Sequence, residues 1–126
     1  MIAGVGIDMV DSRRIADALA RFGDRFIQRI LVDAELRPGL EGDRLTAYLA
    51  RQFAAKEAIS KALGTGMRQG IHFRNLVVTR DTLGAPRVSL EDEAAQRAAA
   101  IGISQVHLSI SDEAPYAIAY ALAVKI

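Results

Sequence analysis

The C-terminal segment limits the possible folds of this chain most strongly, because it is apolar on both faces. Large apolar or aromatic residues alternate there with alanines: Tyr116, Ile118, Tyr120, Leu122 and Val124 with Ala117, Ala119, Ala121 and Ala123. A period of two is typical of a β-strand. A face made only of alanine lets a second element approach closely, so we predict that this strand lies under a helix or against another subunit.

Other regions of the chain also have strand patterns, namely residues 2–8, the two hairpin segments 71–79 and 87–90, and residues 106–111. The first is apolar and interrupted by glycine, which predicts a buried strand that ends by presenting Asp8. In the last, alternation predicts that His107, Ser109 and Ser111 share one face.

Helical spacing of apolar residues is found in four regions, which are residues 12–22, 24–31, 44–63 and 91–101. Ser12 is the expected N-cap of the first helix, and Gly23 its end. The longest helix ends at Gly64 and Gly66. The predicted order is βαααββαββ, which indicates an α+β fold, and the length of 126 residues indicates one domain covering residues 1–126.

The amino-acid composition limits where the protein can act and which side chains can carry its chemistry. With 51% hydrophobic and 25% charged residues and no run of about 20 apolar residues, the chain is expected to be soluble, with no membrane partner. The first residues have no basic segment, which favours a cytoplasmic location. Because there is no cysteine, carboxylates, imidazoles, hydroxyls and lysines remain for chemistry.

Five arginines between residues 13 and 29 suggest an acidic partner, since the guanidinium group suits carboxylates and phosphates.

Two carboxylates are the strongest candidates for a functional site. Asp8 ends the first predicted strand, and Glu57 lies on the long helix near Lys56 and Lys61. Two carboxylates and a lysine suit Mg²⁺ and a phosphate. Spacing alone favours a simpler interpretation, in which Glu57 and Lys61 form a surface pair one helical turn apart.

Two further groups allow two interpretations each. The N–H groups of Gly64-Thr65-Gly66 suit a phosphate, although a helix cap is the commoner use of glycine there. Ser109 and Ser111 suit a phosphate or a solvated strand face equally well. No Walker loop, dinucleotide fingerprint or nucleophile elbow is present.

Taken together, three pieces of the sequence resemble the holo-(acyl-carrier-protein) synthase family of the 4′-phosphopantetheinyl transferase superfamily. They are Gly6-Ile7-Asp8, Arg14-Ile15, and the block from Phe53 to Gly66, which reads Phe-Ala-x-Lys-Glu-Ala-x-x-Lys-Ala followed by Gly-Thr-Gly. The resemblance spans nearly the whole chain. It implies a mostly antiparallel sheet packed on a long helix.

The resemblance also implies a site. Asp8 and Glu57 are expected to hold Mg²⁺, or Mn²⁺ in its place, and Lys61 is a catalytic residue with Glu57. Either Glu57 or a water on the metal takes the proton of the acceptor serine. Coenzyme A is expected to contact the following residues: Lys56, Lys61, Gly64, Thr65, Gly66, Ser109 and Ser111.

Partners follow from the same resemblance. The expected substrates are coenzyme A and an acidic, helical acyl carrier protein, by default that of fatty acid synthesis, which docks on Arg14, Arg21 and Arg25. The family implies a homotrimer with active sites at subunit junctions. Relatives usually carry arginine where this chain has Gln52, and many carry lysine where it has Ala85, so two cations for the coenzyme A phosphates are absent.

Two other classes of function are weighed against the transferase. A non-catalytic module that binds carrier proteins would explain Gln52 and Ala85, but it has no need of the carboxylates Asp8 and Glu57. An RNA-binding domain would need aromatic residues among its arginines, and the chain has no tryptophan. Nucleic acid is therefore not an expected partner.

Overall fold

A computed structural model describes all residues, 1–126, and its element order confirms the predicted α+β fold. The strands are β1 (Ile2–Asp11), β2 (Leu76–Arg80), β3 (Pro86–Leu90), β4 (Ile103–Glu113) and β5 (Tyr116–Lys125). The helices are α1 (Ser12–Phe22), α2 (Asp24–Ile30), α3 (Gly42–Ala62) and α4 (Asp92–Ala100). Short 3₁₀ turns lie at Asp33–Glu35 and Phe73–Asn75.

The strands form two antiparallel sheets, one of order β1-β5-β4 and one made of the β2-β3 hairpin. The long helix α3 lies across β1 and β5 of the larger sheet. The alanine face of β5 is buried there, whereas Tyr116, Ile118 and Tyr120 on its other face are exposed. Within the chain, the alanine face therefore packs under a helix, which is the first of the two environments predicted for it.

Four local predictions need correction. Strand β1 continues to Asp11, so Asp8 lies within the strand and not at its end. Only the face of β1 toward α3 is covered, so the strand is half-buried. Helix α1 is capped by Asp11, whose side chain accepts a hydrogen bond from the backbone N–H of Arg13, and not by Ser12. The predicted strand at 71–79 begins at Leu76, because a 3₁₀ turn occupies the residues before it.

Candidate functional site

Asp8 lies beside the helix because the two residues before it on the same face of the strand are glycines. Gly4, Gly6 and Asp8 face α3, opposite the alanines of β5. A Cβ atom on Gly6 would overlap the carbonyl oxygen of Ala58 and come within 2.8 Å of the backbone nitrogen of Ala62. Glycine is therefore required there for β1 to contact the α3 backbone, and this contact brings Asp8 beside the helix.

Lys61 joins the strand to the helix at this point. Its Nζ donates to the carbonyl oxygen of Ile7 at 2.9 Å and to the carboxylate of Asp8 at 3.2 Å. The side chain of Lys61 is 48% exposed and that of Asp8 is 19% exposed, so the pair is open to a ligand from solvent. Lys61 forms this ion pair with Asp8, and none with Glu57, contrary to the simpler interpretation from spacing.

Glu57 completes the group, and its carboxylate makes no hydrogen bond within the protein. Burial raises the pKa of Glu57, and the nearby charge of Asp8 raises it further, while Lys61 and Arg14 act in the opposite direction. A negative neighbour disfavours a second negative charge, so the two carboxylates lie close enough to repel each other. A cation between them would relieve that repulsion.

These residues fit a magnesium ion. The chain contains no cluster of three or more His, Cys, Asp or Glu side chains that could hold a metal, so this site offers two carboxylates at most. Mg²⁺ commonly takes only one or two protein carboxylates and completes its octahedron with waters and substrate phosphate oxygens. The donor set of Asp8 and Glu57 therefore matches this ion.

Lys56, predicted to contact coenzyme A, is not brought to this site. Its ammonium is fully buried and donates to the carboxylate of Glu35 at 2.7 Å and to the carbonyl oxygens of Ile30 at 2.6 Å and Phe73 at 2.9 Å. An ammonium has three donors, and all three are used. This burial contradicts a contact between Lys56 and a phosphate.

The Gly64-Thr65-Gly66 segment lies just after Lys61 but offers few free N–H groups. The N–H of Gly64 donates to the carbonyl of Lys61, and those of Thr65 and Gly66 both donate to the carbonyl of Ser60. Gly64 and Gly66 have φ values of +82° and +62°, which favour glycine. The helix-cap interpretation therefore accounts for these residues within the monomer.

Ser109 and Ser111 lie on the other face of the large sheet. They pair with Tyr120 and Ile118 of β5, whose side chains point away from α3, and they are exposed. Asp8 pairs with Ala119 on the face toward α3. One chain therefore does not bring the two serines together with Asp8.

The predicted docking arginines are exposed on the first two helices. Arg14 and Arg21 lie on α1 and Arg25 on α2. Arg14 is close enough to Glu57 to lower its pKa. This basic surface therefore borders the carboxylate site.

Gln52 is buried, and its role was not foreseen from the sequence. Its amide donates to Glu35 at 2.8 Å and to the carbonyl of Val78 at 3.0 Å, and it accepts from Arg80 at 3.0 Å. Position 52 therefore lies in the interior of the monomer and not at an open phosphate site, so glutamine in place of arginine changes the interior. Glu35 and Arg80 were missed because no spacing pattern links them to α3.

Two arginines close in sequence to Gln52 and Ala85 form ion pairs within the chain. Arg51 pairs with Asp112 at 2.9 Å, and Arg87 pairs with Asp81 at 2.9 Å. The largest cavity, of about 530 Å³, is lined by Arg87 and His107 among others and lies between the hairpin, α4 and β4. It contains none of the predicted site residues, so we place the chemistry at the strand–helix contact and not in this cavity.

Comparison with known proteins identifies the family of this chain. Residues 4–121 match the model of the 4′-phosphopantetheinyl transferase superfamily. A holo-[acyl-carrier-protein] synthase of Halorhodospira halophila is 50% identical over 124 residues, which cover 98% of each chain. The crystal structure of the synthase from Neisseria meningitidis superposes with a TM-score of 0.90 at 40% identity, covering 99% of this chain and 100% of that one.

A structure with a bound ligand is also similar. The holo-(acyl-carrier-protein) synthase from Bacillus anthracis, in complex with CoA (3′,5′-ADP), has a TM-score of 0.83 and 37% identity. The match covers 100% of this chain and 99% of that one. None of the helices described above is both long enough and apolar enough to cross a membrane.

Proposed function

Because the chain belongs to the 4′-phosphopantetheinyl transferase superfamily, we propose that it transfers 4′-phosphopantetheine from coenzyme A to a serine of apo acyl carrier protein. The products are holo acyl carrier protein and adenosine 3′,5′-bisphosphate. The observation that carries this proposal is the convergence of Asp8, Glu57 and Lys61 at the contact between β1 and α3. Cytoplasmic fatty acid biosynthesis is the process it serves, and residues 1–126 act as one domain around one core cluster.

Asp8 and Glu57 would hold Mg²⁺. When bound, this ion neutralises charge on the pyrophosphate of coenzyme A and on the leaving phosphate. Lys61 adds a positive charge that is fixed in place by its bonds to Ile7 and Asp8. Phosphoryl transfer depends mainly on such positioning and charge stabilisation, so these three side chains are sufficient to define the reaction centre.

The transfer forms one bond and breaks one. The serine oxygen of the carrier attacks the β-phosphorus of coenzyme A, and the bond from that phosphorus to the bridging oxygen breaks, so 3′,5′-ADP leaves with the electron pair. The serine proton must be accepted. Glu57 suits this task because no donor in the chain occupies its carboxylate oxygens, which leaves one free to accept the proton.

The carrier protein docks on the basic surface formed by Arg14, Arg21 and Arg25. All three arginines are exposed, and an acidic helix is the complementary partner for such a surface. Arg14 is close enough to Glu57 to lower its pKa, so a carrier bound there would bring its serine toward the reaction centre. The docking surface and the carboxylate site thus form one continuous substrate path.

The active assembly is a homotrimer. The outer face of the large sheet exposes an apolar patch made of Val5, Ile7, Met9, Tyr116, Ile118 and Tyr120. Contiguous apolar surface of this kind marks an interface. Ser109 and Ser111 border the same face, so association is the way in which they would reach coenzyme A at a neighbour's site.

Intact-mass spectrometry of an apo acyl carrier protein tests the function. Incubation with the purified chain, coenzyme A and Mg²⁺ should add the mass of one phosphopantetheine group to the carrier. Asp8→Ala, Glu57→Ala and EDTA should each abolish the gain. An unmodified carrier, under conditions in which a known transferase modifies it, would refute catalysis and favour a module that only binds carriers.

A further inference from the structure

Lys56 and Glu57 are consecutive in α3, but their side chains enter different surroundings. Glu57 lies one helical turn before Lys61, which bonds Asp8, so it is on the face of α3 toward Asp8. Lys56 instead ends in a buried group of polar atoms and is fully enclosed. Its three ammonium hydrogens are satisfied by Glu35 and by the carbonyls of Ile30 and Phe73. Lys56 therefore ties α3 to the end of α2 and to both 3₁₀ turns.

Glu35 is saturated in the same way. One carboxylate oxygen accepts from the N–H of Val32 at 3.0 Å and from Lys56 at 2.7 Å. The other accepts from Gln52 at 2.8 Å and from the N–H of Val78 at 3.0 Å. Gln52 and Lys56 are one helical turn apart, so a single carboxylate bonds one face of α3 to β2.

The opposite face of α3 meets the sheet mostly through small residues. Gly4 and Gly6 of β1 touch the helix backbone, and the facing positions of β5 are alanines. Such a contact fixes the distance between helix and sheet. The two ion pairs that cross from α3 to the sheet are partly exposed, so they constrain the rotation of the helix less than the fully buried bonds of Lys56.

Helix rotation has a large effect on the metal-binding carboxylate. Successive residues of an α-helix point about 100° apart, so the direction of Lys56 determines that of Glu57. At a side-chain radius of about 5.5 Å, a rotation of about 10° moves a carboxylate by roughly 1 Å. The bonds of Lys56 therefore hold Glu57 in line with Asp8.

We propose that Lys56, anchored by Glu35, is a positioning residue for the metal site, setting the rotation of α3 at which Glu57 faces Asp8. The inference rests on the proposed function in one respect, the binding of a divalent ion by Asp8 and Glu57. It assigns Lys56 a role through Glu57 and gives it no contact with coenzyme A.

The test is Mn²⁺ binding by the free protein, measured by electron paramagnetic resonance, together with steady-state kinetics. Lys56→Met keeps the unbranched side chain and removes its ammonium. We expect Mn²⁺ affinity to fall roughly tenfold, as it commonly does when a group supporting a metal ligand is lost. The value of kcat should fall while KM for coenzyme A changes little.

Tyr48→Phe is the matched control. The Tyr48 hydroxyl donates to the backbone carbonyl of Glu35, so this variant loses a buried hydrogen bond to the same residue without changing its carboxylate. It should lower the melting temperature and leave Mn²⁺ affinity at the wild-type value. Glu35→Asp, which keeps the charge and shortens the anchor, should give an intermediate loss of Mn²⁺ affinity, even if Lys56→Met does not fold.

Two results would overturn the proposal alone. In the first, Lys56→Met keeps its Mn²⁺ affinity and raises KM for coenzyme A, as expected of a direct phosphate contact. In the second, Lys56→Met or Glu35→Asp lowers only the melting temperature. Absence of Mn²⁺ binding by the wild-type protein would instead refute the metal site of the proposed function, and this inference with it.

Discussion

Replacing Gly6 by alanine should separate β1 from α3 and impair the site between them. The added Cβ would overlap the carbonyl oxygen of Ala58 and lie 2.8 Å from the backbone nitrogen of Ala62. Neither backbone atom can move without moving the helix. Because non-bonded heavy atoms pack best at about 3.5–4.0 Å, the strand has to shift by roughly 1 Å or more.

That shift has two consequences of different size. Overpacking of an interior typically costs about 1–3 kcal/mol of unfolding free energy, so the variant should still fold. A misplacement of about 1 Å in a catalytic group can cost roughly 100-fold in rate. Asp8 lies two residues from Gly6 on the same strand face, so kcat should fall by about that factor.

Urea denaturation and the rate of carrier modification, both measured for the same preparation, check this prediction. Gly39→Ala is the control, since Gly39 has a φ of +88° and a Cβ there meets nothing within 4 Å. It should lose about 1–2 kcal/mol from backbone strain and keep its activity. If Gly6→Ala is destabilised yet retains the full rate, the close approach of β1 and α3 does not position Asp8.

Four further predictions concern the metal site, the docking surface and the proposed subunit interface. Asp8→Asn removes a negative neighbour, so it should lower the pKa of Glu57 toward its ordinary value of 4.5, although burial still raises that pKa. NMR of the carboxyl group in the metal-free protein measures the shift. An unchanged pKa would contradict the prediction. In the wild type, Mn²⁺ affinity should decrease as the pH falls through this pKa, because the proton competes for the carboxylate. Arg21→Glu combined with Arg25→Glu should raise KM for the carrier about tenfold, with KM for coenzyme A unchanged, since each exposed ion pair contributes about 0.2–1 kcal/mol and reversal makes it repulsive. Tyr120→Asp should convert the proposed trimer to monomers in analytical ultracentrifugation, and a trimer that persists in this variant would exclude the outer sheet face as the interface.

Local patterns were sufficient to predict most of the fold. The alternation of alanine with larger residues identified β5 and its close packing, and the apolar spacing with its terminal glycines identified α3 within two residues at each end. Asp8 was placed in the right strand but at the wrong position. The extension of β1 to Asp11 depends on its pairing with β5, which no local pattern in residues 2–11 reveals.

Side chains that meet through tertiary packing could not be predicted. Lys56 and Glu35 are 21 positions apart and belong to different elements, so nothing in the sequence marks them as partners. Without that pairing, a lysine beside a glutamate that is expected to bind a metal is naturally assigned to a phosphate. Gln52 was misinterpreted for the same reason, because its burial depends on the position of β2 and Glu35 against α3.

Diffraction from crystals grown with Mn²⁺ and coenzyme A, recorded at the manganese absorption edge, tests the central claim most directly. We expect one anomalous peak per chain, between the carboxylates of Asp8 and Glu57, with the pyrophosphate on the same ion and Lys61 beside it. A peak held by other residues, or a pyrophosphate bound with no ion between these two carboxylates, would show that Asp8 and Glu57 do not form the metal site.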